Sequence, residues 1–315
     1  MGTPKISIVV PCYCCEKSIS KLYFRLTKTL SKLVSDSYEI IFVNDQSPMN
    51  DWEEIEKIAQ NDVKVIGLNF SKNFGQHFAI SAGVDYCTGD FLVVMDGDLQ
   101  DQPEEIEKLY HKIQEGYNIV YARRAERKDS FLKKLSSKLF YKTFDYFTDR
   151  KSDNTIANFS IVNKVVIDAF KNFKEQNRMY PLFLNWMGFN FTYIDVAHAN
   201  REDGNSSYNL IKLLKLAGNN ILSNSNKPLR LGINIGFIIT LCSFLFGLYL
   251  MIGHFFNFFK VEGWTSTMVS IWFIGGVLSF NIGLLGIYIG KIFDETKGKP
   301  IYIIKEQING KAKLG

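Results

Sequence analysis

Met95-Asp96-Gly97-Asp98-Leu99-Gln100 closes the apolar run Phe91-Leu92-Val93-Val94. Two carboxylates one residue apart, followed by an amide oxygen, form a set of hard oxygen donors. Residues i and i+2 of an extended segment share a side, so Asp96, Asp98 and Gln100 are expected to face one divalent cation. Mg²⁺ and Mn²⁺ favour such ligands and complete their shells with water and phosphate oxygens. A cation held this way can stabilise a departing diphosphate. A strand-end turn with solvated acids would carry the same triplet, so its surroundings decide.

Short apolar runs alternate with helical patterns around it. Strands are expected at Ile6–Val10, Glu39–Val43, Lys64–Leu68, Phe91–Met95 and Asn118–Tyr121, and helices over about 17–34, 51–60, 75–87 and 103–115. That alternation predicts a mainly parallel sheet covered on both faces, with ligands at the carboxyl ends of its strands. Pro11-Cys12-Tyr13, Asn44-Asp45-Gln46-Ser47, Asn69–Gly75 and Asp96–Gln100 all fall at such ends. GxGxxG and GxxxxGK[ST] are absent from the sequence, which argues against dinucleotide oxidoreductases and P-loop NTPases.

The chain has 315 residues, a formal net charge of +5 and a 46% hydrophobic share that is unevenly spread. Residues 1–225 read as a mixed-charge soluble domain. Leu231–Gly253 and Ser266–Gly290 carry no charged residue, and each is long enough to cross about 30 Å of hydrocarbon as a helix. Lys212, Lys215, Lys227 and Arg230 precede the first span, and Lys291, Lys297 and Lys299 follow the second. The positive-inside rule then places both termini and the large domain in the cytoplasm, with 291–315 a cytosolic tail. The expected location is the cytoplasmic membrane, with reduced cysteines in the soluble domain. His77 and His111 read as helix-surface or packing residues. Arg123–Lys151 is basic and aromatic, with Leu132, Leu135 and Leu139 at helical spacing. It reads as an interfacial helix on anionic headgroups, and membrane attachment argues against nucleic acid as a partner. Gly275, Gly276, Gly283 and Gly286 allow close helix approach, so a homo-oligomer is expected.

With these pieces in order, the chain resembles family 2 glycosyltransferases of the GT-A fold, in particular the membrane-anchored polyprenyl-phosphate glycosyltransferases. The matching residues are Val10-Pro11-Cys12-Tyr13, Ile41–Ser47, Asn73-Phe74-Gly75, Ala82-Gly83, Met95–Glu104 and Arg201–Tyr208, together with the two-span tail. The resemblance implies a Rossmann-like α/β domain followed by a transmembrane hairpin, and sugar transfer from a UDP- or GDP-linked donor to a polyprenyl phosphate. It implies that Pro11, Tyr13, Glu16, Asp45, Asn73 and Asp96 bind the nucleotide sugar. Asp96, Asp98 and Gln100 would hold Mg²⁺ or Mn²⁺. Arg124, Arg201 and Ser206 would face the acceptor phosphate, and Asp98, Asn158, Arg124 and Arg201 would carry catalysis.

Three positions depart from the family pattern. Tyr13-Cys14-Cys15-Glu16 replaces Tyr-Asn-Glu, Asn44-Asp45 replaces a pair of aspartates, and Ala157-Asn158-Phe159-Ser160 stands where many relatives have Gly-Asp-Phe-Arg. The aspartate of that last motif is the family's proposed base, and Asn158 cannot take up a proton. A phosphate acceptor needs no base, being largely ionised near neutrality (second pKa about 6). A sugar hydroxyl would lose general-base help typically worth about 10²–10⁴-fold. Transfer to a lipid-linked saccharide, and a non-catalytic scaffold or translocation partner, are the competing expectations.

Overall fold

The computed structural model describes residues 5–124, 156–173, 175–176, 178–196, 225, 227–256 and 263–310. They divide into two compact units, one holding every strand and the other the two long helices.

In the first unit β1 (Ile6–Cys12), β2 (Tyr38–Asn44), β3 (Val65–Phe70) and β4 (Phe91–Val94) alternate with α1 (Glu16–Val34), α2 (Asp51–Asn61) and α3 (Gln76–Tyr86). A short 3-10 turn (Pro103–Glu105) leads into α4 (Ile106–Ile113), followed by β5 (Ile119–Arg124), β6 (Ile156–Asn163), α5 (Lys164–Lys171), α6 (Tyr180–Trp186) and β7 (Phe191–Val196). The sheet has eight strands in the order β7-β5-β6-β4-β1-β2-β3-β8. β3, β2, β1 and β4 are parallel, and β6 and β8 are the two strands that run against their neighbours. The expected mainly parallel α/β sheet is therefore present.

β1 and β2 are buried along their whole lengths, as strands covered on both faces must be. Alternate residues feed two cores. Ile6, Ile8 and Val10 pack with Ile19, Leu22, Leu26 and Leu30 of α1, with Ile55 of α2 and with Leu109 of α4. Val9 faces the other way, towards Ala79 and Ile80 of α3 and Val166 and Phe170 of α5. α3 lies close on β1 because Gly83 has no side chain: a Cβ there would fall 2.3 Å from Val9 Cγ1.

β8 (Ile304–Ile308) lies inside the segment 291–315 that the sequence reads as a tail. It pairs antiparallel with β3, Gly67 opposite Ile308 and Asn69 opposite Glu306, and so covers an open sheet edge. In the second unit, α7 (Lys227–Phe255) and α8 (Trp264–Thr296) overlap the two expected spans. Both are long and apolar enough to cross a membrane. Their apolar side chains are uncovered, Phe237 being 70% and Trp272 79% exposed, unlike those of a globular core helix. Gly232 of α7 gives Asn281 of α8 its room, since a Cβ there would lie 2.8 Å from Asn281 Oδ1.

Candidate active site

The carboxyl ends of β1 to β4 share one edge of the sheet. Cys12 is level with Asn44, and Asn44 with Asn69. β6 runs into this edge from the opposite direction, so its first half lies beside the end of β4, with Ser160 level with Val94.

Asp45 follows β2 and is 3% exposed. Its Oδ1 accepts the Phe74 amide (2.7 Å) and its Oδ2 the Gly75 amide (2.9 Å). Burial pushes its pKa up to about 6, against the pull of those two amides. Asn73 Nδ2 donates to the Asp45 carbonyl at 3.1 Å. Asp45 and Asn73 thus come together as expected, yet both Asp45 oxygens are engaged in shaping the loop ahead of α3. Pro11 is buried in β1, and Tyr13 stands 53% exposed just beyond it. The following amide, that of Cys14, donates to Ser47 Oγ at 3.1 Å, which ties the first loop to the second. Glu16 opens α1 and accepts from Asn50, by its backbone amide (3.4 Å) and its side chain (3.3 Å).

The acidic triplet corrects one expectation. β4 ends at Val94, and Asp96–Gln100 forms a turn in which Leu99 has φ +62°. The alternation of an extended strand therefore does not place Asp96, Asp98 and Gln100. The turn is held internally: the Gln100 amide donates to Asp98 Oδ1 (3.1 Å) and the Asp96 amide to buried Asp101 Oδ2 (3.3 Å). Gly97 sits against β1, where a Cβ would meet the Pro11 carbonyl at 3.3 Å, and its own carbonyl accepts Ser18 Oγ at 2.6 Å. Asp96 Oδ1 accepts Gln76 Nε2 (2.7 Å) and Asn158 Nδ2 (3.3 Å).

Gln76 was not singled out from sequence, although it directly follows the Asn73-Phe74-Gly75 motif and opens α3. Ser18 and Asp101 were missed for a related reason, since their contacts depend on the turn. Asn158 joins the site as an amide donor to Asp96, a bond an ionised aspartate could not make.

Arg124 is the last residue of β5. Its neighbour Arg123 donates through Nε to Asp195 Oδ1 of β7 at 2.7 Å. Arg201, Ser206 and the Arg127–Lys142 stretch lie outside the described residues. His77 is neutral near pH 7, with burial lowering its pKa to about 4.

Among the described residues, no three His, Cys, Asp or Glu side chains converge as a metal cage. Mg²⁺-type ions need only one or two carboxylates when substrate phosphates and water supply the rest. Asp96 and Asp98, half-buried in a turn beside the strand ends, fit that requirement.

The model of glycosyl transferase family 2 matches residues 7–171. The chain belongs to that family. As a family 2 glycosyltransferase it is similar over nearly its full length to three curated proteins. A prophage bactoprenol glucosyl transferase homolog of Escherichia coli (strain K12) is 34% identical over 96% of this chain and 98% of its own. The undecaprenyl-phosphate 4-deoxy-4-formamido-L-arabinose transferase of Proteus mirabilis (strain HI4320) is 32% identical over 98% of this chain and 95% of its own. An uncharacterized glycosyltransferase of Bacillus subtilis (strain 168) is 35% identical over 95% of this chain and 93% of its own. The mainly parallel α/β sheet is thus that of a family 2 glycosyltransferase.

Proposed function

We propose that this family 2 glycosyltransferase moves a sugar from a nucleotide diphospho-sugar to a polyprenyl phosphate, with inversion, for the modification of cell-envelope glycans. The observation that carries the proposal is Asn158 Nδ2 donating to Asp96 Oδ1. The family's base position is occupied by a group that holds the acidic turn and cannot take a proton. Such a site suits an acceptor that arrives already ionised, as a phosphate monoester does. The names of the full-length relatives support the same acceptor class.

In this scheme the nucleotide lies across the loops after β1, β2 and β3, against Pro11, Tyr13, Glu16, Asp45 and Asn73. Asp96, Asp98 and Gln100 hold Mg²⁺ or Mn²⁺, which neutralises charge on the donor diphosphate when bound. Arg124, Arg201 and Ser206 orient the acceptor phosphate, the guanidinium forks matching its oxygens. A phosphate oxygen attacks the anomeric carbon to form the new C–O bond. The bond to the nucleotide diphosphate breaks on the opposite face, and the leaving oxygen keeps the electron pair. α7 and α8 cross the cytoplasmic membrane as a hairpin, with the catalytic domain and both termini in the cytoplasm and copies of the chain associating through the spans. Uncovered apolar faces and flanking lysines support that placement.

The test is transfer from radiolabelled UDP- and GDP-sugars to undecaprenyl phosphate in detergent, with Mn²⁺, Mg²⁺ or EDTA. Chelator-sensitive label in the lipid phase, lost in Asp98→Ala, is the expected result. Label found only on a lipid-linked saccharide, or on no acceptor with any donor, would overturn the proposal.

A further inference from the structure

β8 runs against β3, so its first residues reach the edge where β2 and β3 finish. A directed chain of side chains begins there. Asn69 Nδ2 donates to Glu306 Oε2 (3.4 Å), and Asn44 Nδ2 donates to Asn69 Oδ1 (2.9 Å). Asn44 Oδ1 accepts the Ser47 amide (3.1 Å), and Ser47 Oγ accepts the Cys14 amide (3.1 Å). Asn44 and Asn69 are 2% and 4% exposed, so each buried polar end needs its partner. With Ser47, Trp52, Lys305 and Glu306 they line a cavity of about 220 Å³.

The chain has one workable polarity. Glu306 accepts, so Asn69 must point its amide nitrogen there and its oxygen at residue 44. Residue 44 must then donate to Asn69 while accepting from Ser47. An ionised aspartate cannot donate. The asparagine that departs from the family's acidic pair is therefore the residue type this arrangement requires.

We propose that β8 is a positioning element of the donor site. Glu306, acting through Asn69 and Asn44, sets the Asp45–Ser47 loop and through Ser47 the Tyr13–Cys14 turn. This rests on the assignment of that edge to the nucleotide sugar. Asn69→Asp alone places two carboxylates face to face. Asn69→Asp combined with Glu306→Gln reverses the bond, the new amide donating to the new carboxylate, while Asn44 keeps its acceptor.

The experiment is calorimetric titration of the full-length protein in detergent with UDP and with GDP, each with Mn²⁺ and without acceptor. Asn69→Asp should weaken binding about three- to tenfold, the size of one net hydrogen bond. The double variant should recover to within about twofold of wild type. An unchanged affinity in Asn69→Asp, or a loss that the second substitution does not repair, would overturn the proposal. If Asn69→Asp does not fold, Glu306→Ala takes its place, with the same loss expected and an unchanged affinity overturning it. Because no acceptor is present, failure of the polyprenyl-phosphate assignment leaves this outcome intact. A wild-type protein that binds neither nucleotide overturns both.

Discussion

At the scale of single residues, the site is organised by which groups donate and which accept. Asn158→Asp replaces an amide donor with a second acceptor beside Asp96 Oδ1. With a phosphate acceptor, transfer should fall about tenfold or more, as like charges meet in a half-buried turn. Were a hydroxyl the acceptor, the same substitution would restore a base and raise the rate, so initial rates on both acceptors separate the two. Asp45 supplies a pH dependence. Its carboxyl has a pKa of about 6 in the folded chain, above the ordinary value near 3.9. The folded state therefore holds this proton more tightly between the two values, and the cost of burying the charge is complete above about pH 6. Wild type should gain thermal stability relative to Asp45→Asn as the pH is lowered from 7 to 5, read from melting curves of the pair. The residue types of this site were legible in the sequence, since Asp96, Asp98, Asp45 and Asn73 all lie on the expected edge. Their roles were less so. Whether Asp45 reads a base or braces a loop depends on where the Phe74 and Gly75 amides point, and residue spacing does not encode that.

At the scale of elements, β1 to β5 and the first four helices are legible because each carries an apolar pattern of its own. β1 and β2 are each built around an apolar run, Ile8–Val10 and Ile40–Val43, and Ile19, Leu22, Leu26 and Leu30 repeat at helical spacing along α1. β6, β7 and β8 lack that advantage. β7 is mostly half-buried at the sheet margin, and β8 has the sequence Ile-Lys-Glu-Gln-Ile. The strand character of β8 comes from a partner more than two hundred positions earlier in the chain. Element packing makes its own prediction at Gly83. Alanine there drives a methyl group into Val9 and must lift α3 from β1. Overpacking of this kind costs roughly 1–3 kcal/mol, to be measured as a lowered unfolding temperature. Because α3 also presents Gln76 to Asp96, donor affinity should fall with it.

At the scale of the whole molecule, the proposed membrane crossing predicts that the protein stays with membranes through an alkaline carbonate wash. Replacing Phe244 and Phe280, both more than 60% exposed, by aspartate should release it, since a charge at the bilayer centre costs about 2.5–3.5 kcal/mol on insertion scales. Exposed aromatic side chains of this size are expected on a lipid-facing surface.

The position of β8 in the chain has a consequence for biosynthesis. Domains generally fold as they emerge from the ribosome, N-terminal parts first, but this sheet cannot close that way. β3 is synthesised early, and the strand that covers its edge is encoded after both long helices. Until β8 is translated, the backbone donors and acceptors along that edge of β3 stay unpaired and open to pairing with another nascent chain. Completion of the sheet thus waits until both long helices have been made. A premature stop between α8 and β8 would leave that edge of β3 uncovered.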